Sequence, residues 1–143
     1  IHGDATNLDQ EADRYAEDLS RWLPLNDRGI PRFDLIILGM GPDGHIASLF
    51  PDSKALDETT RWVIPTLVTK LCTWRITLSF PVLNAATRLA LLVTGDNKSN
   101  VIVEILRAGY APAITKYPVQ RLQPTTGIDW FLDPAAAAEV MPT

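Results

Sequence analysis

The passage from Phe33 to Pro51 constrains this chain most, because an apolar run there gives way abruptly to a glycine-rich loop. Leu35-Ile36-Ile37-Leu38 is unbroken by any polar residue, long enough for a strand and too short for a helix. A run without alternation predicts a strand buried on both faces, as in a parallel sheet. Gly39, Gly41 and Gly44 then fall within six residues. They allow a sharp turn and a close approach of backbone to ligand. Asp43 and His45 stand at the far edge of the loop, and a short apolar helical turn is expected from Ile46 to Phe50 before Pro51. Open parallel sheets bind ligands beyond the carboxyl ends of their strands, which is where this loop lies.

That placement makes His45 and Asp43 the candidate catalytic pair. A helix starting near His45 would set free N–H groups and a positive dipole end beside the ring, favouring a neutral imidazole that can accept a proton. Asp43 opposes this through its charge, but it can fix the tautomer by accepting a ring N–H. The bland alternative is a surface or capping histidine beside a glycine turn, and spacing alone leaves both open. The glycines also fit the dinucleotide fingerprint G-x-G-x-x-G. Pro42-Asp43 followed by His45 suits a pyrophosphate loop poorly, however, and the acids Asp57-Glu58 come too early and in a polar loop. The glycine match is therefore read as a decoy.

The same residues resemble the signature of the 6-phosphogluconolactonase family, in which a strand leads into G-M-G-x-D-G-H-x-A-S-L-F-P. Further stretches similar to that family follow in order: Arg75-Ile76-Thr77-Leu78, Thr94-Gly95 with Lys98, and Trp130 to Asp133 before an alanine-rich tail. The resemblance covers essentially all 143 residues, but only the later part of the family domain. The chain starts at Ile1, and nothing in it corresponds to the earlier half with its glycine-rich phosphate loop. The resemblance implies a single partial domain over residues 1–143, either missing its first half or completed by a partner chain. It implies the fold shared by sugar-phosphate isomerases and coenzyme A transferases.

The activity implied is hydrolysis of 6-phospho-D-glucono-1,5-lactone to 6-phosphogluconate in the oxidative pentose phosphate pathway, in the cytoplasm and without a cofactor. His45 would be general base on water and Asp43 would orient it. Gly39, Gly41, Gly44, Arg75 and Lys98 would bind the substrate and its phosphate, with loop N–H groups from Gly41 to Gly44 holding the oxyanion. Arg75 either pairs with Asp43 or reaches the substrate. Lys98, beside a strand end and a helix start, is a phosphate contact in the family; read alone, a helix-start lysine is more often solvated. A single cysteine and scattered acids around His45 make no metal-ligand set.

Two rivals follow. Aminosugar-phosphate isomerase/deaminases carry a similar loop that continues to F-N-E-P, and Phe50 stands here where they place a glutamate. The other rival is a non-catalytic sugar-phosphate-binding fragment that needs a partner chain.

Composition narrows the remaining classes. A hydrophobic share of 46% permits a real core, and a net charge of −4 with interspersed signs leaves no nucleic-acid footprint. The lone Cys72 excludes an internal disulfide framework and fits a reducing compartment. No apolar run approaches the roughly 18 residues of a membrane span.

Along the chain, Ile1 to Gly3 is expected to end a strand. Asn7 or Thr6 is expected to cap a helix to Trp22 with Leu8, Ala12, Tyr15, Leu19, Trp22 and Leu23 on its apolar face. Trp62 to Ile64 reads as a strand that Pro65 places at a sheet edge or at the strand's end, and Val68 to Trp74 is ambiguous. Strands are expected at Arg75–Phe80, Leu89–Thr94, Val119–Leu122 and Trp130–Leu132. Helices are expected at Pro81–Ala86, at Asn97–Ala108 with Gly109 closing it, and from Pro134 to about Met141, with Ala111 to Tyr117 a loop. This alternation predicts an α/β fold with a mostly parallel sheet flanked by helices.

Overall fold

The computed structural model describes residues 1–2, 4–108 and 116–140. Their order is α1 (Leu8–Trp22), β1 (Leu35–Gly39), β2 (Val63–Val68), β3 (Thr73–Leu78), α2 (Phe80–Ala85), β4 (Arg88–Val93), α3 (Ser99–Ala108) and β5 (Ile128–Leu132). β1, β4 and β5 form a parallel sheet in the order β1-β4-β5, with Gly39 opposite Leu92 and Leu91 opposite Trp130. β2 and β3 form a separate antiparallel hairpin. The fold is α/β with a parallel sheet, as the alternation of elements predicts.

Local chemistry explains most boundaries. The Asn7 side chain accepts the Gln10 N–H at 3.1 Å and opens α1, with Asp9 and Glu11 in the first turn where the helix dipole favours acids. Pro81 sits in the first turn of α2, where its missing N–H costs nothing. β2 runs through Pro65, so of the two readings the edge strand holds: each strand of a two-stranded hairpin is an edge and tolerates a proline. The ambiguous stretch is the hairpin tip: a 3₁₀ turn over Thr69–Leu71, then Cys72 in the left-handed region at φ 48°.

Several expectations are overturned. Ile46 to Phe50 is not a helical turn: Leu49 N–H closes back on the Ile46 carbonyl at 2.8 Å, Ala47 has φ 49°, and Ser48 N–H goes to the Thr77 hydroxyl at 3.1 Å. Left-handed Ala47 is what breaks the helical turn, and the hairpin satisfies a donor that the first turn of a helix would have left free. Pro118–Arg121 is a 3₁₀ turn, not a strand, and residues 134–140 are turns without a regular helix. Ile1 and His2 join no strand; the His2 N–H donates to the Glu11 carboxylate at 2.6 Å. Trp22 is 80% exposed, because the cluster of Ala12, Leu19 and Val63 ends before the last turn of α1. Gly109, most of the expected loop (111–115) and Met141 lie outside the described residues.

The main core joins one face of the parallel sheet (Ile36, Leu38, Leu89, Leu91, Val93) to Ile102 and Ile105 of α3, Leu83 of α2, and Val119 and Leu122. The other face corrects the expectation of a strand buried on both sides. Leu35, Ile37, Leu92 and Phe131 are each about half exposed there. The apolar run in β1 is coded for two covered faces, and the described residues cover one. No helix among the described residues is long and apolar enough to cross a membrane.

The two faces of β1 should answer mutation differently. Ile36→Ala empties a packed position and should cost about 2–5 kcal/mol in urea denaturation. Ile37→Lys should cost under about 1 kcal/mol in this chain and reduce the fluorescence of an apolar dye bound to the bare face.

Candidate active site

β1 delivers the glycine loop to the carboxyl edge of the sheet, and backbone bonds fix its shape. Gly41 N–H donates to the His45 carbonyl at 2.9 Å, Gly44 N–H to the Gly41 carbonyl at 3.0 Å, and Val119 N–H to the Gly44 carbonyl at 3.1 Å. Each glycine then has a different reason to be there. A Cβ on Gly41 would lie 2.1 Å from His45 Nδ1 and Cε1 and 2.9 Å from Asp43 Oδ1, so the ring occupies the space a side chain would need. Gly44 has φ +70°, and its Cβ would lie 2.6 Å from Tyr117 Cβ. Gly39 meets nothing closer than the Leu92 carbonyl at 4.0 Å.

These bonds correct one expectation. The Gly41 and Gly44 N–H groups are spent inside the loop, and the His45 N–H points to Asp43 Oδ1 at 3.3 Å, so these donors do not form an oxyanion hole. Gly41 and Gly44 serve by leaving room.

His45 and Asp43 are brought together as expected, with Nδ1 and Oδ1 2.5 Å apart. An ionised carboxylate only accepts, so His45 Nδ1 carries the hydrogen, and in the neutral imidazole Nε2 keeps its lone pair. The expected helix dipole is missing because no helix starts here. A cation stands in its place: the Lys70 ammonium, from the hairpin tip, bonds Asp43 Oδ2. Burial pushes the Asp43 carboxyl up, but the hydrogen bonds from Lys70 and His45 outweigh it and hold the group down to about 2. The His45 ring stacks on Phe50, with centroids 3.9 Å apart and an interplanar angle of 23°, and Lys70 Nζ lies 4.5 Å from the same Phe50 centroid.

Arg75 is not the partner of Asp43. It lies opposite Thr66 on the hairpin face that also carries Thr77, the face turned to the Ile46–Leu49 turn, and it is exposed. Lys98 lies past the end of β4, the strand beside β1, so the sheet brings its turn and the His45 loop to one edge. Its Nζ folds back to the Thr94 carbonyl at 2.5 Å. The Gly95 N–H is held by the Asp133 carboxylate at 3.1 and 3.2 Å. A cleft of about 900 Å³, lined in part by Arg32, Ala85 and Thr125, contains neither His45 nor Lys98. Those residues precede β1, β4 and β5, so it opens at the opposite edge of the sheet.

Sequence reasoning missed Lys70, Phe50, Tyr117 and Asp133. Lys70 had a usable signal: strand-like stretches on both sides of Thr69–Cys72 mark a hairpin tip, and a tip residue can reach a neighbouring loop. Tyr117 had none, since its ring packs on Gly44 across the chain while its hydroxyl donates to Glu104 at 2.7 Å.

Gly41→Ala should expel the His45 ring and abolish the downfield Nδ1 proton resonance, whereas Gly39→Ala should leave it. The depressed Asp43 group also sets a sign. Its stabilising contribution is complete above about pH 4, the ordinary aspartate value. It is lost as pH falls through about 2. The gap in urea midpoint between the unmodified chain and Asp43→Asn should therefore narrow across that window.

Comparison with known proteins shows the family. A family profile described as glucosamine-6-phosphate isomerases/6-phosphogluconolactonase matches residues 1–130. The 6-phosphogluconolactonase of Homo sapiens is 41% identical over 132 residues, which are 91% of this chain and 49% of that protein. Among solved structures, the devB protein aligns with a TM-score of 0.81 at 33% identity, over 95% of this chain and 56% of that one. A 6-phosphogluconolactonase from Trypanosoma brucei aligns with a TM-score of 0.75 at 28% identity, over 99% of this chain and 58% of that one. The chain thus spans about half the length of these relatives. It belongs to the glucosamine-6-phosphate isomerase/6-phosphogluconolactonase family.

Proposed function

We propose that the protein hydrolyses 6-phospho-D-glucono-1,5-lactone to 6-phosphogluconate, the lactone-opening step of the oxidative pentose phosphate pathway, in the cytoplasm. The observation that carries this reading is the 2.5 Å contact that commits His45 Nδ1 to Asp43 and leaves Nε2 free to take a proton. Nε2 removes a proton from water, and the hydroxide adds to the lactone carbonyl carbon. The ring C–O bond of the tetrahedral adduct then breaks, and the imidazolium returns its proton to the departing ring oxygen. The product carboxylic acid ionises in water.

The substrate's phosphate needs cations. Lys98 stands at the same sheet edge and has no acidic partner among the described residues. Arg75, exposed on the loop-facing side of the hairpin, supplies a second cation for the sugar phosphate. The bare sheet face, together with the half-length match to relatives, supports a pocket completed by further polypeptide. Cys72, exposed and unpaired with any cysteine, suits a reducing compartment.

Phe50 argues against the isomerase/deaminase reading. Shuttling a proton between adjacent sugar carbons calls for a further carboxylate, and the residue at that position is an aromatic platform under the His45 ring.

The test is lactone opening measured against the spontaneous background, with 6-phosphogluconate as product and glucosamine 6-phosphate as control substrate. Enzymatic opening without ammonia release is expected. His45→Ala should lower the rate by about 10²–10⁴, the usual worth of a general base. No rate above background, with no 6-phosphogluconate binding by calorimetry, overturns the reading.

A further inference from the structure

We infer that Lys70 is a positioning residue for the catalytic histidine: by holding Oδ2 of Asp43 it aims Oδ1 at His45 Nδ1 and so decides which ring nitrogen is free. This rests on the lactonase reading for its kinetic consequence and on geometry for its structural one.

The argument starts from Asp43. The torsion that orients a carboxylate is broad and roughly two-fold, so one hydrogen bond at one oxygen leaves its plane loosely set. Gly44, the residue after it, adds no side-chain packing. The His45 backbone N–H also reaches Oδ1, at 3.3 Å, so both bonds from the loop fall on one oxygen, and the second oxygen is held from another part of the fold. His45 Nδ1 takes Oδ1 from within the loop, and the Lys70 ammonium takes Oδ2 from the hairpin tip. The tip is itself shaped for this, because the 3₁₀ turn Thr69–Leu71 and left-handed Cys72 reverse the chain at Lys70. Phe50 ties the unit together, lying under the His45 ring and 4.5 Å from Lys70 Nζ.

Lys70 is thereby engaged with protein groups, whereas Lys98 is not held by any acid among the described residues. With the ammonium gone, the carboxylate turns toward solvent and the imidazole is free to place its hydrogen on Nε2. That tautomer presents a donor where a base is required.

The experiment compares the unmodified chain with Lys70→Met and Lys70→Arg. Two-bond ¹H–¹⁵N spectra of the His45 ring, recorded at alkaline pH, report the tautomer without requiring turnover. The Nδ1–H form is expected in the unmodified chain, a mixture in Lys70→Met, and recovery in Lys70→Arg, which keeps the charge and the donors. In lactone hydrolysis, Lys70→Met should lower kcat by about 10–100-fold, as small misplacements of a catalytic group do, while KM changes by less than about threefold. The melting temperature should hardly move, because the pair is half exposed. An unchanged tautomer in Lys70→Met overturns the inference, as does a rise in KM with kcat intact, which would make Lys70 a substrate contact. If the unmodified chain opens no lactone, the functional reading fails, and the ring spectra still decide the role of Lys70.

Discussion

Everything at this site depends on one carboxylate with two side-chain donors. Asp43 accepts from the His45 ring at one oxygen and from Lys70 at the other. The first bond comes from within a single loop and needs only local sequence. The second crosses from a different sheet, so it exists only when the hairpin has docked beside the parallel strands. The Ser48 N–H bond to Thr77 makes the same crossing a few residues on. Chemistry and tertiary structure are joined at that crossing.

The fold was legible where one residue type has one physical meaning. Asn7 opened α1, Pro81 opened α2, and the apolar runs of β1 and β4 became neighbouring parallel strands. The pairing of Asp43 with His45 was legible too, because residues two apart around a glycine can share a turn. Illegible features came from distant partners. Ile46 to Phe50 reads as a helical turn, yet Ala47 turns left-handed and the Ser48 N–H is held by Thr77 of the hairpin. Lys70 lay in a stretch whose shape is set by two strands pairing rather than by its own residues. Asp133 reaches the Gly95 N–H from 38 residues away, a bond that only the folded chain makes.

The half-exposed sheet face belongs to the same account. Sequence gives Leu35 and Ile37 the same weight as Ile36 and Leu38, but alternation sends the two pairs to opposite sides. One side meets α3 and the turn near Val119; the other shows Leu92 and Phe131 to solvent. The relatives are about twice as long as the matched region, so the apolar coding of β1 is intelligible as that of a strand in a larger body.

Gly41 leads to a last consequence. It is not among the glycines with positive φ, so backbone freedom is not what reserves the position. What reserves it is the volume filled by the imidazole, pressed between Asp43 and Phe50. The reactive group is seated by a missing methyl, and the most restricted place in the loop is one where there is nothing to titrate, ligate or donate. Any drift at that codon is felt first as a histidine without a seat.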